Sequence, residues 1–192
     1  TSEIIVAAGA SLVVNGPMAD SLDSETTLYQ GSSFESAFPW TYGGGDGSLD
    51  VFAGNGEASV DGAAFANLDN IYVETGRFRI ASEDFVNETD ARITLLPGTT
   101  LVIDNGLENH GRLSIDVAVA SVANGLYNLG LIDGNGLLDA NFLRNDGTIS
   151  ASGGSLAMVF TSSPDLDGSS ESGAIEVIQG DLSIVTPQPN VH

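Results

Sequence analysis

The chain has 192 residues, enough for one domain or for a stretch of a longer solenoid, and its 42% hydrophobic against 16% charged content excludes disorder driven by low hydrophobicity. Asp and Glu number 26 against five Arg and no Lys, for a net charge of −21, which excludes the clustered cations that nucleic acid and anionic membranes require and favours divalent cations and cationic partners. With no Cys there are no disulfides, thiolate metal sites or cysteine nucleophiles. No stretch approaches the roughly 20 apolar residues of a membrane span, so membrane insertion is not expected.

Helix signals are missing: Gly accounts for 24 residues, and apolar residues nowhere recur at helical spacing for three turns. The first stretch, Ile4 to Val14, aligns without gaps with Ile93 to Ile103, so the same coil chemistry recurs 89 positions later. From about Pro17 to Asp46 the pattern weakens. Ser, acids and the aromatics Tyr29, Phe34, Phe38, Trp40 and Tyr42 lead to Gly43, Gly44 and Gly45, and this segment is expected to be an insert that caps an end or covers an edge.

Beyond it, a glycine repeatedly opens an alternating strand: Gly47 before Leu49 and Val51, Gly76 before Phe78 and Ile80, Gly111 before Leu113 and Ile115, Gly173 before Ile175 and Val177, and Gly180 before Leu182 and Ile184. A second pattern, Leu-x-Asn-x-Gly-x-(Leu/Ile), places Asn109, Asn128 and Asn145 two residues ahead of Gly111, Gly130 and Gly147. The three Asn lie 19 and 17 positions apart, and Phe85 with Asn87 forms a looser copy 22 positions earlier. Periods near 20 residues belong to solenoids, in which each lap stacks on its neighbours; corner Asn side chains can then form hydrogen-bonded ladders along the axis. The fold class expected is all-β, a single-stranded parallel β-solenoid read as a right-handed β-helix, with a β-sandwich as the alternative. Residues 1–192 form one domain, with 17–46 as insert and 186–192 as tail.

The Leu-x-Asn-x-Gly-x-Ile unit followed by Gly-x-Leu, over about residues 85 to 185, resembles the repeats of filamentous-haemagglutinin-like adhesins and autotransporter passenger regions. That resemblance implies a right-handed parallel β-helix, export across bacterial membranes, and adhesion or matrix building. The polar start Thr1, Ser2, Glu3 is not a signal peptide, so export would mean that one had been removed.

Candidate sites are few. Calcium is the cofactor the composition suits best, because oxygen-rich turns fit a hard cation. The turns in question hold Asp165, Asp167 and Glu171; Asp133, Asn135 and Asp139; and Asp46 with Asp50, the last resembling one copy of a calcium-binding nonapeptide. Each reads first as a solvated turn, since none completes an EF-hand and nonapeptide sites are built between successive copies. Trp40, Tyr42 and Tyr29 could form an aromatic platform for sugars or a small satellite core. His110, the one internal histidine, reads as a solvated corner residue. No catalytic residues are expected: acids are too numerous for any pair to stand out, and cations for lyase chemistry are scarce.

The function expected is a non-catalytic, secreted or cell-surface structural or adhesive protein presenting an acidic β-solenoid. Its partners would be cell-surface or matrix components, with carbohydrate and self-association among them and nucleic acid excluded. Two alternatives stand beside it: a self-assembling filament or sheet subunit, and a carbohydrate-binding or polysaccharide-cleaving β-helix module.

Overall fold

Alternation of apolar and polar residues gives strands with one face inward, and left-handed glycines such as Gly9, Gly31, Gly76 and Gly98 turn the chain between them. The computed structural model describes residues 2–15, 24–43, 47–162, 164 and 173–186, and every strand pairing among them is parallel. The described strands begin with β1 (Ser2–Val6) and β2 (Ser11–Val14) in a first lap, then β3 (Ser24–Tyr29), β4 (Ser33–Ser36) and β5 (Trp40–Tyr42) in a second. A third lap holds β6 (Ser48–Gly62) and β7 (Ala64–Asn67), a fourth β8 (Asn70–Ile80) and β9 (Asp84–Asn87), and a fifth β10 (Arg92–Leu95), β11 (Thr100–Ile103) and β12 (Gly106–Asn109). Next, β13 (Arg112–Asn128) and β14 (Leu131–Asn145) each round a whole lap, followed by β15 (Thr148–Phe160), β16 (Ala174–Val177) and β17 (Gly180–Val185). The result is a β-solenoid. The sandwich alternative, which needs facing antiparallel layers, does not fit.

Three sheet faces run along the axis. On the first, Ile4, Thr26, Leu49, Ile71, Ile93, Leu113, Ile132, Ile149 and Ile175 follow one another in ladder register. On the second, Leu12, Phe34, Val60, Ile80, Ile103, Val122, Ala140 and Phe160 do the same. The third carries Trp40, Phe65, Phe85, Leu107, Leu126 and Leu143. These columns meet in one core, in which Leu49, Ile71, Ile93, Leu113, Ile132 and Ile149 are at most 2% exposed. Each such burial contributes roughly 1.5–3 kcal/mol before chain entropy is counted.

Two sequence expectations need correction. Within the expected insert, residues 24–42 form a full lap: β3 pairs with β1 and β6, β4 with β2 and β6, and β5 with β7. Its aromatics are core residues of a wider lap, which is why the alternation looked irregular; residues 17–23 and 44–46 lie outside the described residues, as do 187–192 of the expected tail. The gap-free match between Ile4–Val14 and Ile93–Ile103 holds on the first face, where Ile4 and Ile93 share a column. On the second face Leu12 shares its column with Ile103, not with Leu101. The slip is two residues, so inward parity survives; the corner between the faces absorbs the difference in length.

Candidate functional site

The third face ends in a corner where the backbone must turn beside a dry interior. Asn67, Asn87, Asn109, Asn128 and Asn145 occupy successive positions of one column and are fully buried. Each side-chain amide donates to the next carbonyl oxygen: Asn67 to Asn87 at 2.8 Å, Asn87 to Asn109 at 2.7 Å, Asn109 to Asn128 at 2.8 Å, and Asn128 to Asn145 at 2.7 Å. Beyond the last rung, the Asn145 amide donates to the carbonyl of Ala174 at 3.3 Å. At the other end the column is closed by Tyr42, in register with Asn67 and buried, its phenol held well above the usual range by desolvation.

The glycines that follow these amides are required by close approach. A Cβ at Gly130 would overlap the carbonyl oxygen of Gly111, and one at Gly147 would overlap that of Gly130. Asn109, Asn128 and Asn145 thus line the interior of the corner, and Gly111, Gly130 and Gly147 let the next lap close over it. The rung at Asn67 is missing from the sequence reading because Asp69 stands where the motif has Gly. Its signal was the pair Phe65 and Asn67, which repeats Phe85 and Asn87 at a distance of 20 residues.

Among the described residues the calcium candidates are not brought together. Asp133 faces outward on the first face, where Arg112 clamps both of its carboxylate oxygens at 2.8 and 2.5 Å and Ser114 donates a third bond at 2.8 Å. Asn135 sits at the next corner, accepting from the Val117 N–H at 2.7 Å and donating to the Gly153 carbonyl at 2.9 Å. Asp139 lies on the second face, in register with Ser121 and Val159. Asp50 accepts from the Ser48 hydroxyl at 3.0 Å, and burial raises its pKa above the usual carboxylate value. Asp165, Asp167, Glu171 and Asp46 lie outside the described residues. Among the described residues no three His, Asp or Glu side chains gather closely enough to hold a metal ion.

Nor do the three aromatics share a surface. Trp40 is 5% exposed and lies inside, tilted against Phe34 at 4.4 Å between ring centres and stacked on Phe65 at 4.3 Å. Tyr42 is interior as well, whereas Tyr29 is exposed and stacks on Phe52 at 6.1 Å. The satellite core is therefore part of the main core. His110 is a corner residue whose Nε2 meets the Glu108 carboxylate at 2.8 Å.

An exposed aromatic that the sequence reading passed over is Tyr127, which faces outward on the third face in register with Glu108 and Arg144. Its ring lies over Gly125 and meets Phe142 at 6.3 Å between centres. A hollow of about 350 Å³ opens on one side, lined by Asp84, Gly106, Glu108 and Tyr127 among others. Another of about 300 Å³ opens on the other side, lined by Glu108, Tyr127, Leu129, Arg144 and Asp146.

Fold and ladder together define a three-faced parallel β-solenoid, locked along one corner by an interior column of amides. No protein-family model, curated protein or solved structure matches the chain.

Proposed function

We propose that this chain is a non-catalytic rod of the cell surface or extracellular matrix, acting through the side-chain columns on its outside. The observation that carries the reading is the division between inside and outside. Alternate residues of the three faces fill a solid core, while their neighbours form outward columns repeated at the roughly 4.8 Å spacing of parallel strands. A stiff rod holds such columns in fixed geometry for a partner at little entropic cost. The net charge of −21 keeps like rods apart in solution and favours cationic or hydroxyl-rich partners. Protease shaving of intact source cells, followed by mass spectrometry, tests this: peptides of the chain are expected among those released, and recovery only after lysis would overturn the reading.

A second reading, self-assembly, draws on one observation. Ile175, Val177 and Ile184 continue the columns of Ile149, Ala151 and Met158, yet they are 39%, 53% and 37% exposed, with Ile178 beside them at 71%. Among the described residues nothing covers them, and a lap supplied by another copy would. Sedimentation velocity across a concentration series is expected to show association that Ile178→Asp abolishes; a monomer at every concentration would exclude it.

A further inference from the structure

The third face carries a feature that neither the rod nor the ladder requires. Outward positions at the start of its strands are Asp84, Gly106, Gly125 and Phe142, so two adjacent laps carry no side chain between an acid and a ring. The next outward positions are Val86, Glu108, Tyr127 and Arg144. Tyr127 lies back across Gly125 with 45% of its surface exposed, and the two hollows flank it and share Glu108. The four laps from Phe85 to Leu143 make this a shallow trough roughly 14 Å long.

We infer that this trough binds a neutral glycan chain, with one pyranose ring stacked on Tyr127. A pyranose presents an apolar C–H face to an aromatic ring and a rim of hydroxyls, each able to donate and accept. Around Tyr127 the rim would meet acceptors in the carboxylates of Asp84 and Glu108, the latter also bonded to His110, and a donor in the guanidinium of Arg144, whose Nε is paired with Asp146 at 2.9 Å. Gly125 lets the Tyr127 ring lie down against the sheet, and Gly106 beside it puts no side chain in the way of a flat ligand. An extended peptide fits less well, because the strands here are paired on both sides and offer no free edge for main-chain bonds. Polyanions are disfavoured by Glu83, Asp84, Glu108 and Asp146, against which Arg144 is the one cation lining the hollows. The inference rests on the surface-rod reading for its setting and names a ligand for it; binding is measured on the purified chain, so it can fail while the protein proves to be at the surface, and the reverse.

Saturation-transfer NMR and calorimetry with cellohexaose, mannohexaose, xylohexaose and maltohexaose, alongside tri-galacturonate, test it. At least one neutral hexaose is expected to bind and tri-galacturonate to bind more weakly. Tyr127→Ala should weaken binding by about tenfold or more, the scale of one lost aromatic stack. Tyr29→Ala, which removes an exposed ring elsewhere, should leave binding unchanged, and thermal melts would check that both variants fold. No binding of any neutral hexaose, equal binding by Tyr127→Ala, or preference for tri-galacturonate would each overturn the inference.

Discussion

The side-chain amide of Asn128 donates to Asn145 at 2.7 Å and its carbonyl oxygen accepts from Asn109 at 2.8 Å, both bonds fully buried. The Asn128 amide donates as well to the carbonyls of Gly130 at 3.4 Å and Thr148 at 3.2 Å, so its loss leaves the Asn145 carbonyl oxygen without its rung, weakens the satisfaction of the Asn109 amide and bares two backbone carbonyls. Asn128→Leu is therefore expected to cost about 2–4 kcal/mol, the sum of two groups left partly unpaired. Asn67→Leu, at the first rung, breaks one ladder bond and should cost about half as much. Urea denaturation followed by circular dichroism checks both, and equal losses at the two positions would argue against a cooperative column.

Glycines in this fold serve two separable purposes. Gly130 has a neighbouring lap's carbonyl where a Cβ would go, and Gly130→Ala should cost at least about 3 kcal/mol or prevent folding, since backbone cannot yield as side chains do. Gly98 has open space around it but a φ of 80°, and Gly98→Ala should cost only about 1 kcal/mol, the strain of a left-handed alanine. Thermal melts of the two variants should differ accordingly; similar melting points would refute the distinction.

Val117 is a β-branched residue at φ 47°, held there by the bond from its N–H to Asn135. Its side chain is 63% exposed, so little packing is lost on removing it. Val117→Gly is expected to stabilise the chain by about 1 kcal/mol, because relief of the left-handed strain outweighs the extra freedom given to the unfolded chain. A drop in the urea midpoint would show that packing at this corner matters more than backbone strain.

Burial raises the pKa of Asp50 above its ordinary 3.8, so the folded state holds that proton more tightly than the unfolded chain does. The sign follows: the stability this contributes is full below about pH 3.8 and is lost as pH rises through the folded-state value. Asp50→Asn keeps an acceptor for the Ser48 hydroxyl and carries no charge. It should melt higher than the parent chain at pH 7, with the gain shrinking toward zero as the pH falls below the ordinary carboxylate value. A gain that grows on acidification would contradict this account.

Much of the site was legible because solenoid corners impose local chemistry. Asn109, Asn128 and Asn145 stood out since each precedes a Gly that steric contact demands, and the strands after Gly47, Gly76 and Gly111 kept strict inward parity. The lap of Trp40 and Tyr42 was read as an insert because its aromatic content resembled a surface excursion. Local sequence does not report how wide a lap is, and only the ring stack from Phe34 through Trp40 and Phe65 to Phe85 places them inside. Tyr127 was passed over because it alternates with Leu126 and Asn128 like any outward residue. Its significance comes from Gly125, Glu108 and Arg144 around it, two of which belong to other laps.

The sequence by itself determined that strands form, which of their residues face inward, and where amide corners fall, because all three follow from contacts within a few residues. Tertiary structure alone decided which laps meet in which register, including the two-residue slip that seats Leu12 with Ile103. The reason is that corner lengths vary from lap to lap, and hydrogen bonding between neighbouring strands, rather than spacing along the chain, selects the partner of each residue.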